Sequence, residues 1–394
     1  MSAACLFCVS RISAPLTAPC AMLQRRFCEA ETMTDIRQST ALYEDWLRAQ
    51  LGRDVVETDL VQKHGKMRES PFAFLRATYW RWAETALEIC PDAADAPPVL
   101  AVGDIHLENF GTWRDADGRL VWGVNDFDEA AEMPYVLDLI RLATSALVAR
   151  KGLGATPDAI CSAILQGYRE GLKAPQPVVL DRDRQWLREL VVVSEKRRAK
   201  FWKKIEKVKA ERAPPRYREA LAAAMPEPRL AIRKTARRVA GAGSLGRPRW
   251  IGVADWRGAP VVREAKALVV SAWALKHGKG KGKLRCSEAA DGRYRAIDPW
   301  HHIKDGIVVR RLSPNNRKIE AGEDPGPLLS PDMLHAMGMD LASVHLGTSD
   351  CGGVIKRDLA RRKRGWLKID ATKMAKAVAA DHAAWVAAKT STAA

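Results

Sequence analysis

The stretch that most constrains this chain is Val99 to Glu129, VLAVGDIHLENFGTWRDADGRLVWGVNDFDE, which holds Asp104, His106, Glu108, Asn109, Asp126, Asp128 and Glu129. Each acidic cluster sits where an apolar run ends. Val99 to Val102 reads as a short buried strand, and Gly103 supplies the sharp turn that sets Asp104 at its mouth. Gly111 to Trp113 then enters a hairpin, Asp117-Gly118 turns it, and Leu120 to Trp122 returns to deliver Asp126. Two acids and one amide are thus expected at the same end of one small sheet. Such hard oxygen donors suit Mg²⁺.

A chain of 394 residues has room for a large core and for two lobes. It contains no apolar run of about eighteen residues, the length a membrane span requires. The formal net charge of +17 calls for an acidic partner, whether nucleotide phosphates, nucleic acid or an anionic surface. Cys5, Cys8, Cys20 and Cys28 crowd the N-terminus, while Cys90, Cys161, Cys286 and Cys351 stand singly, a usage that fits a reduced, cytoplasmic setting. Residues 1–32, their apolar part broken by Arg11 and Pro15, read as a disordered extension or an over-long gene start ahead of Met33.

Around the acidic stretch the pattern is mainly helical. Asp35 to Gln50 places Leu42, Trp46 and Leu47 on one face. In residues 66–87 Ser70 caps and Pro71 takes the first turn, after which Phe72, Leu75, Tyr79, Trp82 and Ala86 repeat at helical spacing. Arg76, on this aromatic helix, is a candidate phosphate contact. Tyr135 to Arg150 is an apolar helix in which Asp138 and Arg141, three apart, are expected to form a local ion pair. Residues 196–218, dense in Lys and Arg with Phe201, Trp202 and Tyr217 interleaved, read as a solvated basic face, with nucleic-acid binding the less favoured alternative. From Pro331 onward Met333, Met337, Leu341 and Val344 mark one side of a further helix, and His345 reads as a satisfied helix-end histidine.

Chemistry enters through spacing. Asp104 and Asn109 stand five positions apart, as in phosphotransferases where the Asp orients the attacking hydroxyl and the Asn holds a metal; Asp126 would bridge that metal to nucleotide phosphates, with Asp128 available to a second ion. Gly241-Ala-Gly243-Ser244-Leu-Gly246 is followed by Pro248 and the β-type run Trp250 to Ala254, so its context is strand, turn, strand. That is a kinase-type phosphate flap and not a dinucleotide turn. Lys266 ends the next strand and is the candidate phosphate-neutralising lysine, with Arg263 the fallback if the register differs. Arg310, Arg311 and Lys318, near the end of a strand over Gly306 to Leu312, are candidate contacts to an anionic substrate.

The acidic stretch precedes the flap, the reverse of a kinase. The expected fold is therefore α+β and protein-kinase-like, two-lobed and circularly permuted, with a small antiparallel N-lobe sheet and a mainly helical C-lobe. Residues 33–235 would form the helical lobe with the catalytic and metal loop, 236–320 the β-rich nucleotide-flap lobe, and 321–394 C-terminal helices packing on the helical lobe.

SPFAFLRA, GDIHLENFG, NDFDEA with DLIRLATS, GAGSLG, REAK and VVRRL, spread over roughly residues 60–350, together resemble the bacterial family called domain of unknown function 2252. GDIHLEN and NDFDEA more distantly resemble the catalytic and metal motifs of aminoglycoside and choline kinase-like phosphotransferases. That second resemblance implies Asp104 as catalytic base and Asn109 and Asp126 as metal ligands, with His106 in the place of the group's second histidine. Val102 stands where its first histidine usually is, and Asp128 replaces the glycine after the Asp-Phe pair. The function expected is ATP- and Mg²⁺-dependent phosphate transfer to a small hydroxyl acceptor. The alternatives are a pseudokinase-like nucleotide- or polyanion-binding protein and a metal-dependent phosphohydrolase.

Overall fold

The computed structural model describes residues 35–387, except 151, 153–154, 279–281 and 322–324; the extension expected over residues 1–32 lies outside the described residues. Four helices open the fold: α1 (Ile36–Leu51), α2 (Glu57–Lys66), α3 (Pro71–Ala77) and α4 (Tyr79–Ile89). Asp35 caps α1 by accepting from the Arg37 and Gln38 amides, and Ser70 caps α3 with Pro71 in its first turn. The aromatic run is two helices. Thr78, at φ −125° and ψ 46°, leaves helical geometry and separates α3 from α4; its hydroxyl donates to the Phe74 carbonyl at 2.8 Å.

The acidic stretch follows as β1 (Pro98–Ala101), β2 (Phe110–Arg114), β3 (Leu120–Val124) and β4 (Ala131–Pro134), which runs directly into α5 (Tyr135–Ala149) and then α6 (Pro157–Lys173). β1 pairs antiparallel with β4, whereas β2 and β3 form a separate sheet with β5 (Val178–Val179). Asp104 and Asp126 thus leave two different sheets and not one, because the turn at Phe127 to Ala130 carries the chain from the hairpin back to β1. Gly103, at φ 81°, has no room for a side chain: a Cβ there would lie 2.3 Å from the Glu129 carbonyl oxygen.

After α7 (Gln185–Leu190), α8 (Glu195–Lys207) and α9 (Pro215–Ala223) come β6 (Ile232–Arg237), β7 (Arg249–Trp256), β8 (Ala259–Ala267), α10 (Ala272–His277), α11 (Cys286–Ala290), β9 (His302–Lys304) and β10 (Ile307–Leu312). The strands form one antiparallel sheet in the order β6-β7-β8-β10-β9, beginning at Ile232 and so ahead of the boundary expected at residue 236. Alternation decides its two faces. Ala265 and Ala267 pack with Trp250, Ile307 and Val309 under Tyr217 and Leu221 of α9. On the other face Val262 packs with Ile251 and Val253 under Ile205, Phe201 and Trp202 of α8, so those two aromatics are committed to packing. Farther along that same face stand Glu264 and Lys266, both buried. The face is apolar where α8 covers it and charged where it meets the helical body.

The C-terminal helices α12 (Pro331–His345), α13 (Gly352–Arg361) and α14 (Trp366–Ala387) return to that body, where one continuous core holds residues of α1, α3, α4, α5, α6 and all three. No described helix is long and apolar enough to cross a membrane. Helices α6 and α12 meet backbone to backbone. A Cβ on Gly167 would lie 1.9 Å from the His335 carbonyl oxygen, and one on Gly338 would lie 2.2 Å from that of Ile164. Replacing Gly338 by Ala must push the helices apart, so chemical denaturation should show a loss of about 2–3 kcal/mol or more. Gly65→Ala, in α2 with open space around it, should instead stabilise by about 0.5–1 kcal/mol.

Candidate functional site

The sheet lies over the acidic stretch, and charged groups from both fill the cleft. Asp104 follows β1. Its carboxylate accepts from Arg141 of α5, which also donates to the Leu75 carbonyl at 2.9 Å and lies over the Tyr79 and Trp82 rings, 4.9 and 5.0 Å from their centroids. The break at Thr78 makes this possible, since a continuous helix would engage Leu75 with Tyr79. Arg141 therefore does not pair with Asp138 as their spacing suggests. Asp138 instead accepts the Val102 and Gly103 amides at 2.7 and 3.0 Å and faces His345, its oxygen 3.0 Å from Nε2. Burial, reinforced by Glu129 and only partly countered by Arg141, pushes Asp104 up to about 7.

His106 is buried beside it. Its Nδ1 accepts the Glu108 amide at 3.1 Å, and burial, with Arg76, Arg141 and Lys318 nearby, keeps the ring neutral. The proton then resides on Nε2, so His106 is a donor in this state and not a base. Arg76 pairs with Glu108 at 2.7 Å and so reaches the cleft already partnered; the other Glu108 oxygen accepts the Ala321 amide at 2.9 Å.

Asn109 donates Nδ2 to the Asp104 and Asp126 carbonyls at 3.2 and 3.1 Å, spanning the two acidic clusters. Those two acceptors fix which end of the amide is nitrogen. Among the described residues its Oδ1 is buried with no hydrogen-bond partner. An orphaned buried oxygen has a cost unless something binds it, and the donor set beside it, Asp126, is of the kind that holds Mg²⁺ with water and phosphate completing the shell. Among the described residues no three His, Cys, Asp or Glu side chains converge as a metal-holding group, so a hard ion here would use the amide and phosphate oxygens.

Lys266 comes from the sheet to the second acidic cluster. Its Nζ is 3.7 Å from Asp126 and closer still to Asp128. Burial opposes charge on Asp126, but Lys266, Arg310 and Lys318 outweigh it and hold the carboxylate well below its usual range. Asp128, also buried and next to Asp126, is pushed up. Two positions earlier on the strand, Glu264 accepts from Arg249 at 2.6 Å, from Arg310 at 2.9 Å and from Arg238. Three arginines on one acid leave this face with surplus positive charge. Arg263, pointing the opposite way, donates to the Ala224 carbonyl at 2.7 Å and lies over Trp300, so it does not substitute for Lys266. Arg311 also lies on that opposite face, 3.4 Å from Asp298 and donating to the Arg114 carbonyl, away from the cleft.

The glycine segment between β6 and β7 meets the site at one point. A Cβ on Gly243 would lie 3.1 Å from Asp104 Oδ2, so the flap backbone rests against that carboxylate. Gly246, at φ 97°, packs on Leu60 of α2, and Gly241 lies beside Ser244, whose hydroxyl accepts from Arg249 at 2.7 Å. Lys63 of α2 anchors the flap: buried against Trp80 and Tyr43, it donates to the Gly243 carbonyl at 3.0 Å. Burial, followed by Arg247, lowers it to about 7. Arg247 in turn donates to Glu129 at 2.5 Å and approaches Asp128 at 3.6 Å. Lys63, Arg141, Arg247, Arg249 and Glu264 escape a reading of motifs because each acts through a distant partner. Only Glu264 leaves a local trace, two residues from Lys266 and therefore on its face.

Residues 53–229 match the family described as uncharacterized protein conserved in bacteria (DUF2252), a span that includes the acidic stretch and ends before the flap and Lys266. No curated protein and no solved structure matches the chain.

The unfolded chain releases the Asp104 proton near pH 4, whereas the folded protein holds it to about 7. The contribution of this group to stability is therefore full below about pH 4 and declines as pH rises toward 7. A carboxyl ¹³C titration should give Asp104 a midpoint close to 7. In a denaturation series from pH 4 to 8, Asp104→Asn should lack that part of the decline, and a wild-type midpoint below 4 would exclude the raised value.

Proposed function

We propose that the cleft is the site of an ATP- and Mg²⁺-dependent phosphotransferase with a kinase-like arrangement of two lobes in permuted order. The observation that carries this reading is Lys266, brought from the sheet to 3.7 Å from Asp126 beneath a glycine flap that touches Asp104. Three stretches of the chain meet there: the loop from Asp104 to Asn109, the Asp126-Asp128 cluster and the flap with its lysine. Phosphoryl transfer needs this combination, since its catalysis is mainly positioning and charge neutralisation.

In this reading Asn109 Oδ1 and Asp126 would hold the metal, which when bound neutralises and orients the phosphate oxygens. Lys266 and Arg310, on the sheet side, take the nucleotide phosphates, and in doing so Lys266 exchanges Asp128 for them. Asp104, held by Arg141 and poised near neutrality, accepts the proton of the attacking hydroxyl. His106 serves as a neutral donor. The phosphohydrolase alternative draws less support, because His106 Nδ1 is taken by the backbone and Nε2 carries the proton.

Thermal denaturation with MgATP tests this. At about one hundred times its dissociation constant the nucleotide should stabilise wild type by roughly 2.7 kcal/mol. Lys266→Met should lose most of that shift, and Asp126→Asn should lose its dependence on Mg²⁺. A wild-type protein unmoved by millimolar MgATP would rule the proposal out.

A further inference from the structure

The segment that leaves β10 does not go straight to α12. It first runs along the edge of β2, where the Thr112 amide donates to the Arg317 carbonyl at 2.9 Å and the Arg317 amide donates to Thr112 Oγ1 at 2.8 Å. It ends at Glu108, which accepts the Ala321 amide. This strap lays Lys318 directly on the hairpin: its Cγ would be 2.9 Å from a Cβ on Gly111, two residues from Asn109. The glycine is what admits the lysine.

Most other cations named in the cleft have a close acid. Arg141 has Asp104, Arg76 has Glu108, Lys266 has Asp128, Arg247 has Glu129, and Arg249 and Arg310 share Glu264. Among the described residues no hydrogen bond or ion pair engages the Lys318 ammonium. Burial, opposed by Asp126 and reinforced by Arg310, Arg76 and Lys266, lowers it to about 8. Beside it lies the Asn125 amide, whose Nδ2 would be 2.4 Å from the same Gly111 Cβ. A buried cation that makes no close ion pair among the described residues, and has only the more distant Asp126 to oppose its burial, is an arrangement that an oxyanion completes.

We propose that Lys318, with Arg76 across from it, receives an oxyanion carried by the acceptor, so that the substrate is a phosphorylated or carboxylated alcohol and not a neutral one. This rests on the phosphotransfer reading and assigns the second substrate's side of the same cleft. The nucleotide phosphates are met by Lys266 and Arg310 on the sheet. Lys318 and Arg76 belong to the strap and to α3, near His106 and Glu108, where the acceptor must approach Asp104.

Inorganic phosphate serves as the probe, titrated by calorimetry into protein without nucleotide and into protein saturated with Mg²⁺ and a non-hydrolysable ATP analogue. Phosphate should bind in both conditions, and Lys318→Met should weaken it at least tenfold while Lys318→Arg retains it. Lys266→Met should reduce analogue binding and spare phosphate. Phosphate binding that Lys318→Met leaves unchanged, or that the bound analogue abolishes, would overturn the assignment, the latter by placing the anion at the terminal nucleotide phosphate. Failure of the analogue to bind wild type would count against phosphotransfer alone, because the Lys318 comparison in nucleotide-free protein still decides this site. Circular dichroism and melting temperature establish that each variant is folded.

Discussion

Asp138 holds the end of β1 in place. The strand stops at Ala101, and the next two amides, Val102 and Gly103, would be buried donors without acceptors. The Asp138 carboxylate takes both, and its remaining contact is His345, whose other ring nitrogen is 2.8 Å from the Tyr168 hydroxyl. One fully buried side chain thus ties α5 to the β1 loop, to α12 and, through the histidine, to α6. Losing such an acceptor leaves several groups unsatisfied at once, and the position of Asp104 depends on those groups.

The cleft itself is organised by matching charge to charge across elements. Arg141 cannot serve both Asp138 and Asp104, and the geometry resolves this by giving Asp138 backbone amides and a histidine while Arg141 goes to the site. Asp104 takes one guanidinium, whereas Glu264 on the sheet collects three that would otherwise repel one another. What remains after this pairing is positive, and it lies around Asp126. A ligand with several negative oxygens fits that balance better than a neutral one does.

Much of the fold could be read from the sequence because local rules govern it: the Ser70 cap, the Asp117-Gly118 hairpin, the apolar face of α12 and the alternation that puts Lys266 on the cleft side of β8. The break at Thr78 could not, since spacing across it stays helical and no glycine or proline marks it. For the site, the glycine pattern assigns its three glycines one role. The structure separates them into a backbone contact at Gly243, a packing contact at Gly246 and a turn at Gly241. Arg311 was misplaced for a simpler reason: adjacent strand residues point to opposite faces, so it could not share the cleft with Arg310. The DUF2252 match stops at residue 229, so the charged face of the sheet is described by the structure alone.

The close packing of α6 against α12 bears on how the protein is made. A ribosome delivers the acidic stretch before α12, yet α12 supplies His345 to Asp138 and also Asp340, which accepts the Val124 amide at 2.8 Å just before the Asp126 cluster. Until about residue 345 has emerged, the emerging chain has its acids but not the supports that aim them. The cleft is therefore set only once α12 has been made, and a chain truncated before α12 lacks the partners that hold its site.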